Sequence, residues 1–144
     1  MRKTLGCALA VAIAALITAC GGGGSSDDAK HYDSAQAIAD KLEASGFTVS
    51  MLHKSTGGTT LIDAAYDFTV TAKPGPAPGD SGINMFRNHE SLVTWEGLSK
   101  SFGGIAVAGD TWAVSLASDT PAAVTSSKTL APQIAKALGG TVIQ

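Results

Sequence analysis

From Leu5 to Ala19 the chain carries no charge; beyond Asp28 its apolar positions become periodic. Ala35, Ile38, Ala39 and Leu42 recur at i, i+3, i+4 and i+7, which predicts one apolar face of a helix. Asp33 at the N-cap with Gln36 three residues on resembles a capping box, and Gly46 suits the position after the helix. Residues 47–54 are expected to be extended, followed by a turn at Ser55-Thr56-Gly57-Gly58. Residues 59–64 read as strand. Tyr66, Phe68, Val70 and Ala72 then alternate with Asp67, Thr69 and Thr71, a half-buried strand pattern. The run Lys73 to Asp80, with Pro74, Pro76 and Pro78, is a loop.

The second half is more regular. Ile83 to Arg87 is a short strand. A helix over 89–102 is expected to turn Leu92, Trp95, Leu98 and Phe102 inward and to end at Gly103-Gly104. Ile105 to Ala108 and Trp112 to Ala117 are strands joined by a hairpin turn at Gly109-Asp110. Thr120-Pro121 opens another helix. Pro132 should kink or divide it, with a second piece over 131–138, because proline disfavours helical angles at the residue before it. Gly139-Gly140 close this helix and 141–143 form a last strand. The class predicted is α+β, an antiparallel sheet with helices on one face. The C-terminal half has the β-α-β-β-α-β order of ferredoxin-like split βαβ folds.

The N-terminal run has a different meaning. Arg2 and Lys3 precede an apolar stretch shorter than the roughly 20 residues of a spanning helix. It ends in Ile17-Thr18-Ala19-Cys20, which resembles the lipobox of bacterial lipoproteins. That resemblance implies a signal peptide over 1–19, cleavage before Cys20, and an S-diacylglyceryl group on its thiol, with N-acylation as a further step. Two acyl chains hold a protein stably where one does not. Cys7 lies within the leader and is lost with it. Gly21 to Gly24, Ser25, Ser26, Asp27 and Asp28 have the composition of a flexible coil. A linker is therefore assigned to 20–32 and a single globular domain to 33–144. Gly21 is not the Asp that favours inner-membrane retention in the enterobacterial pattern, so a cell membrane and an outer membrane both remain open.

The chain as a whole is similar to a group of small actinobacterial-type lipoproteins. The residues that carry the likeness are the lipobox, Ala37 to Leu42, Phe102-Gly103-Gly104, Val107 to Val114 and Ile134 to Val142. The likeness brings no catalytic residues with it.

The 144 residues hold 12 acidic and 10 basic side chains; loss of Arg2 and Lys3 makes the remainder more acidic still. No basic cluster is left to bind nucleic acid or anionic headgroups through charge. Both cysteines, Cys7 and Cys20, precede the domain, which excludes a thiolate metal site or catalytic thiol within it. His31, His53 and His89 have no metal-ligand spacing, and no Gly-x-Ser-x-Gly or phosphate-loop motif occurs. Asp63 and Asp67 share a strand face only if nothing intervenes, and read as polar-face residues. Trp95 and Trp112 read as core. No catalytic, metal or cofactor residue is assigned, and no cofactor is expected. The function expected is that of an extracytoplasmic binding or accessory module held on the membrane by Cys20, recognising an envelope protein or a small molecule. An enzyme with a dispersed site and a structural surface protein are the alternatives.

Overall fold

The alternation that begins at Tyr66 continues as expected through Ala72, but the chain changes sheets at Thr69. In the computed structural model, which describes residues 30–57, 59–72 and 76–144, β3 (Ile62–Phe68) belongs to a six-stranded antiparallel sheet. β4 (Val70–Ala72) pairs instead with β1 (Phe47–Val49) in a two-stranded one. The segment expected to be extended over 47–54 divides likewise, into β1 and β2 (His53–Lys54), which pairs with β3. Ser50 and Thr69 face each other where both strands switch. The Ser50 N–H donates to the Thr69 carbonyl at 3.0 Å, and the Thr69 N–H donates to Ser50 Oγ at 2.8 Å.

The larger sheet is completed by β5 (Ser81–Phe86), β6 (Ile105–Ala108), β7 (Trp112–Leu116) and β8 (Thr141–Ile143), in the order β2-β3-β5-β7-β6-β8. Three helices join them: α1 (Ala35–Ala44), α2 (His89–Ser101) and α3 (Pro121–Leu138). The α+β class and the C-terminal order β5-α2-β6-β7-α3-β8 are those expected.

The helices do not share one face. α1 and α3 cover the face that carries Ile83, Val107, Trp112 and Val114. Leu92 of α2 packs with Phe86, Ala106, Ala108 and Ala113, which point the other way from those strands. Strand order explains this. β5 and β6 are parallel with β7 between them, and β7 and β8 are parallel with β6 between them. Both crossovers step the same way across the sheet but start from strands of opposite direction. Crossovers of one hand, the rule for such connections, therefore place α2 and α3 on opposite faces. Had β8 joined beside β5, the helices would share a face; β3 occupies that edge.

Local chemistry sets the helix ends. Ser34, not Asp33, caps α1, its Oγ accepting from the Ala37 N–H at 3.2 Å. Gln36 reaches forward to Asp40 at 2.8 Å, so no reciprocal box forms. The expected face of Ala35, Ile38, Ala39 and Leu42 is buried. α3 starts at the Thr120 cap with Pro121 in its first turn and stops at Gly139, whose φ is +70°. It runs as one helix through Pro132, so the division into two pieces expected there does not occur. That proline lies on the exposed side, while Leu130, Ala131, Ile134 and Leu138 hold both halves on the sheet. In α2 only Leu92 is fully buried; Leu98 is 49% exposed and Phe102, just past the helix, is 86% exposed. The predicted inward stripe thus holds at Leu92 and, in part, at Trp95, because α2 rests on the sheet through its first half.

The hairpin turn also shifts by one residue. Ala108 pairs with Ala113 and the Gly109 N–H donates to the Trp112 carbonyl at 2.9 Å, leaving Asp110-Thr111 as the turn. Gly109 is needed for space: a Cβ there would run into the Trp112 indole. Gly140 approaches from the other side, where a Cβ would lie 2.7 Å from the Ala108 carbonyl and 2.9 Å from the indole.

The stabilities of three variants test this packing. Pro132→Ala restores a helical N–H and should raise the free energy of unfolding by ~2–2.5 kcal/mol, the helix gain less the unfolded-state entropy; a loss would show that the ring is needed. Gly140→Ala should cost about 1–3 kcal/mol through overpacking. By contrast Gly97→Ala, in α2 with open space around it, should gain roughly 0.5–1 kcal/mol. Urea unfolding of the three variants reads both effects.

Candidate functional site

A buried indole needs a partner for its N–H. Trp112, fully buried in β7, donates to the carbonyl of Lys30 at 2.7 Å. That bond, with the 3.4 Å bond from the Lys30 N–H to the Gly139 carbonyl, seats residues 30–32 on the domain. Composition places these residues in the linker, yet Tyr32 is part of the core. Its ring meets Trp112 edge-on at 5.5 Å and its hydroxyl donates to the Leu138 carbonyl at 3.2 Å. Lys30 Nζ lies 5.8 Å from the centre of the Tyr32 ring. Burial pushes the Tyr32 phenol above its ordinary pKa of 10.0.

Beside this clamp lies a cleft of about 400 Å³ between the start of α1, the start of β3, the end of β5 and the β6–β7 turn. Tyr66, Met85 and Phe86 give it an apolar lining; His31, Asp33, Asp63 and Arg87 bring charge to it. His31 is held between two carboxylates, with Nε2 3.1 Å from Asp33 and Nδ1 3.4 Å from Asp110. Arg87 stands 3.8 Å from Asp63 with both side chains largely exposed. A pair so solvated contributes little to stability, which leaves both groups free to turn toward a ligand. A second groove, of about 320 Å³, runs between β4 and α3 and is lined by hydroxyl, amide, proline and aliphatic side chains without a charge.

The residues singled out in the sequence are dispersed. Asp63 is in the cleft because β3 bulges between Ile62 and Ala64; Asp67, beyond the bulge, pairs with Gly82 and stands opposite His53 of β2. The two aspartates therefore do not form a carboxylate pair. His89 caps the far side of the β6–β7 turn, its Nδ1 3.1 Å from the Asp110 carbonyl oxygen. Trp112 is core, as expected, and Trp95 packs on Phe86 at 5.4 Å. Among the described residues no group of three His, Cys, Asp or Glu is arranged to hold a metal ion, and no helix is long and apolar enough to cross a membrane. Cys20, the lipobox-like residues before it and Cys7 lie outside the described residues. The cleft residues His31, Tyr66, Met85 and Arg87 belong to no motif. The signal that was legible is Tyr32, an aromatic residue in a segment otherwise of linker composition.

No family model, curated protein or solved structure matches the chain.

Tyr32→Phe tests the clamp. Loss of the hydroxyl should cost about 0.5–1.5 kcal/mol, the worth of one hydrogen bond. It should also change the alkaline limb. A phenol with a raised folded pKa binds its proton more tightly in the native state, so the stability it supports is complete below pH 10 and declines as pH rises through the folded value. Unfolding followed from pH 8 to 11 should show a shallower decline in Tyr32→Phe than in the wild type. Equal slopes would show that Tyr32 does not govern that limb.

Proposed function

We propose that the chain is a lipid-anchored lipoprotein of the bacterial envelope, similar to the small actinobacterial-type lipoproteins, whose extracytoplasmic domain binds a ligand or partner in the cleft beside Tyr32. The supporting observation is one of placement. The segment that would carry the lipid joins the domain at Lys30, and the cleft opens at the next residues, His31 and Asp33. A ligand bound there is held close to the membrane surface.

The lining suggests the ligand class. Tyr66, Met85 and Phe86 suit an apolar body, and Arg87, His31, Asp33 and Asp63 offer both signs of charge at its edge. That combination fits a small amphipathic molecule or a peptide segment with a charged group at its end. Ser34 Oγ is engaged at the helix cap and His31 by its two carboxylates, so neither is set up as a nucleophile with its base. This favours binding over the dispersed active site.

Two measurements test the proposal. In cell fractionation the wild type should remain with membranes and Cys20→Ala should be released or retained as unprocessed precursor; mature-sized Cys20→Ala at undiminished membrane level would defeat the anchoring. In capture from envelope extract, Arg87→Glu and Asp63→Lys should each lose what the wild type retains. Both are exposed positions, where substitution changes stability by only about 0.5 kcal/mol. Identical capture by all three proteins would show that the cleft is not the binding site.

A further inference from the structure

α2 is a helix of 13 residues with one fully buried side chain, Leu92. Two of its other apolar residues, Trp95 and Leu98, form with Phe102 just past its end a stripe that the sheet leaves largely uncovered, while Val93, 50% exposed, projects from another side. Trp95 is partly buried against Phe86, Leu98 is half-exposed, and Phe102 projects into solvent. With Ser91 these residues follow one another at spacings of three and four and so lie along one flank of the helix. The flank carries no charge. By the same helical spacing Glu90, Glu96 and Lys100 project from other sides of α2. None of the clefts described above includes Trp95, Leu98 or Phe102. The flank is a convex apolar ridge rather than a shaped socket.

Its position relative to the tether identifies what covers it. α2 begins beside the β6–β7 turn, where His89 meets Asp110, and Asp110 in turn meets His31. It therefore starts at the point where the chain from Cys20 joins the domain. It ends at Phe102, about 20 Å away at 1.5 Å per residue. Nine residues separate Cys20 from Lys30, and ten such steps span at most ~33–36 Å. The tether is long enough for α2 to lie flat on the bilayer while the acyl chains on Cys20 are inserted. It is too short to let the domain stray far from it.

We infer that the Trp95–Leu98–Phe102 flank of α2 is a second membrane contact, which lays the domain on the lipid surface along this helix. The inference rests on the anchoring proposed above. The chemistry is that of an interfacial helix, with apolar side chains at the headgroup–acyl boundary and a tryptophan at the same level. The occupant is the bilayer and not a protein socket, because a fluid surface accommodates a ridge without complementary shape and needs no charge on it. In this orientation α2 lies against the lipid, and α1 and α3, on the opposite face of the sheet, look away from it.

Site-specific labelling tests the orientation in the full, lipid-modified chain. Only Cys7 and Cys20 occur in the sequence; the first is lost with the leader and the second is blocked by lipid, so an added cysteine is the sole free thiol. Phe102→Cys and Leu98→Cys are labelled with an environment-sensitive fluorophore and the protein is reconstituted into phosphatidylcholine–phosphatidylglycerol vesicles. Thr125→Cys, exposed on α3, is the control. Labels at 98 and 102 should shift to the blue and be quenched at least twofold more by shallow nitroxide lipids than the label at 125. Equal, water-like emission at all three positions with the lipid present on Cys20 would overturn the inference while leaving the anchor intact. A blue shift at 98 and 102 in native envelopes but not in pure vesicles would overturn it in favour of a protein partner. A free, labelable thiol at position 20 of the membrane-fraction protein would remove the anchoring and this orientation with it.

Discussion

The bond from the Trp112 indole to the Lys30 carbonyl organises much of this molecule. A large aromatic ring buried at the start of β7 contributes apolar area only if its N–H is satisfied. The partner is the backbone of a segment far away in sequence, and the bond fixes where that segment meets the domain. Gly109 and Gly140 leave room for the ring on two sides, and Tyr32 packs on its edge. His31 is then placed to meet Asp110, and the cleft forms between this segment, β3 and β5. The clamp thus joins the sheet, α1 and residues 30–32 at one end of the sheet.

A second constraint is the position of β8. Pairing beside β6 instead of β5 puts α2 and α3 on opposite faces. The two faces are built differently. On the α1–α3 side the strands present Ile83, Ile105, Val107, Val114 and Trp112, large residues that make a deep core. On the α2 side β6 and β7 present alanines, and the helix touches them mainly through Leu92. A short helix held by so few contacts gains little from its own propensity. It is the element whose surroundings matter most.

These features give the molecule a direction. The chain arrives from its proposed anchor at the Trp112 end, the cleft opens at that end, and the apolar flank of α2 extends from it along one face. Cleft and flank differ in composition, one with charges of both signs and the other with none, and they meet at Phe86, which lines the cleft and packs on Trp95.

Local rules were sufficient wherever a few neighbouring residues carry the outcome. The α1 face, the Thr120-Pro121 start and Gly139 stop of α3, the strand alternation from Tyr66 to Ala72 and the β-α-β-β-α-β order of the second half all follow from periodicity and cap chemistry. Where distant segments compete, local rules were insufficient. Asp33 lost the cap to Ser34 and pairs instead with His31; α3 stays whole because both sides of Pro132 are buried on the sheet; the chain leaves its sheet at Thr69 because Ser50 meets it there. The stripe on α2 was correctly spaced, but no pattern within a helix specifies how far the sheet beneath it extends. The same holds for the cleft. His31, Asp63, Tyr66 and Arg87 share no spacing in the chain and meet only because an indole N–H needed a carbonyl and β3 bulged at Asp63. Periodicity is a property of neighbours, whereas a site is a property of what folding brings together.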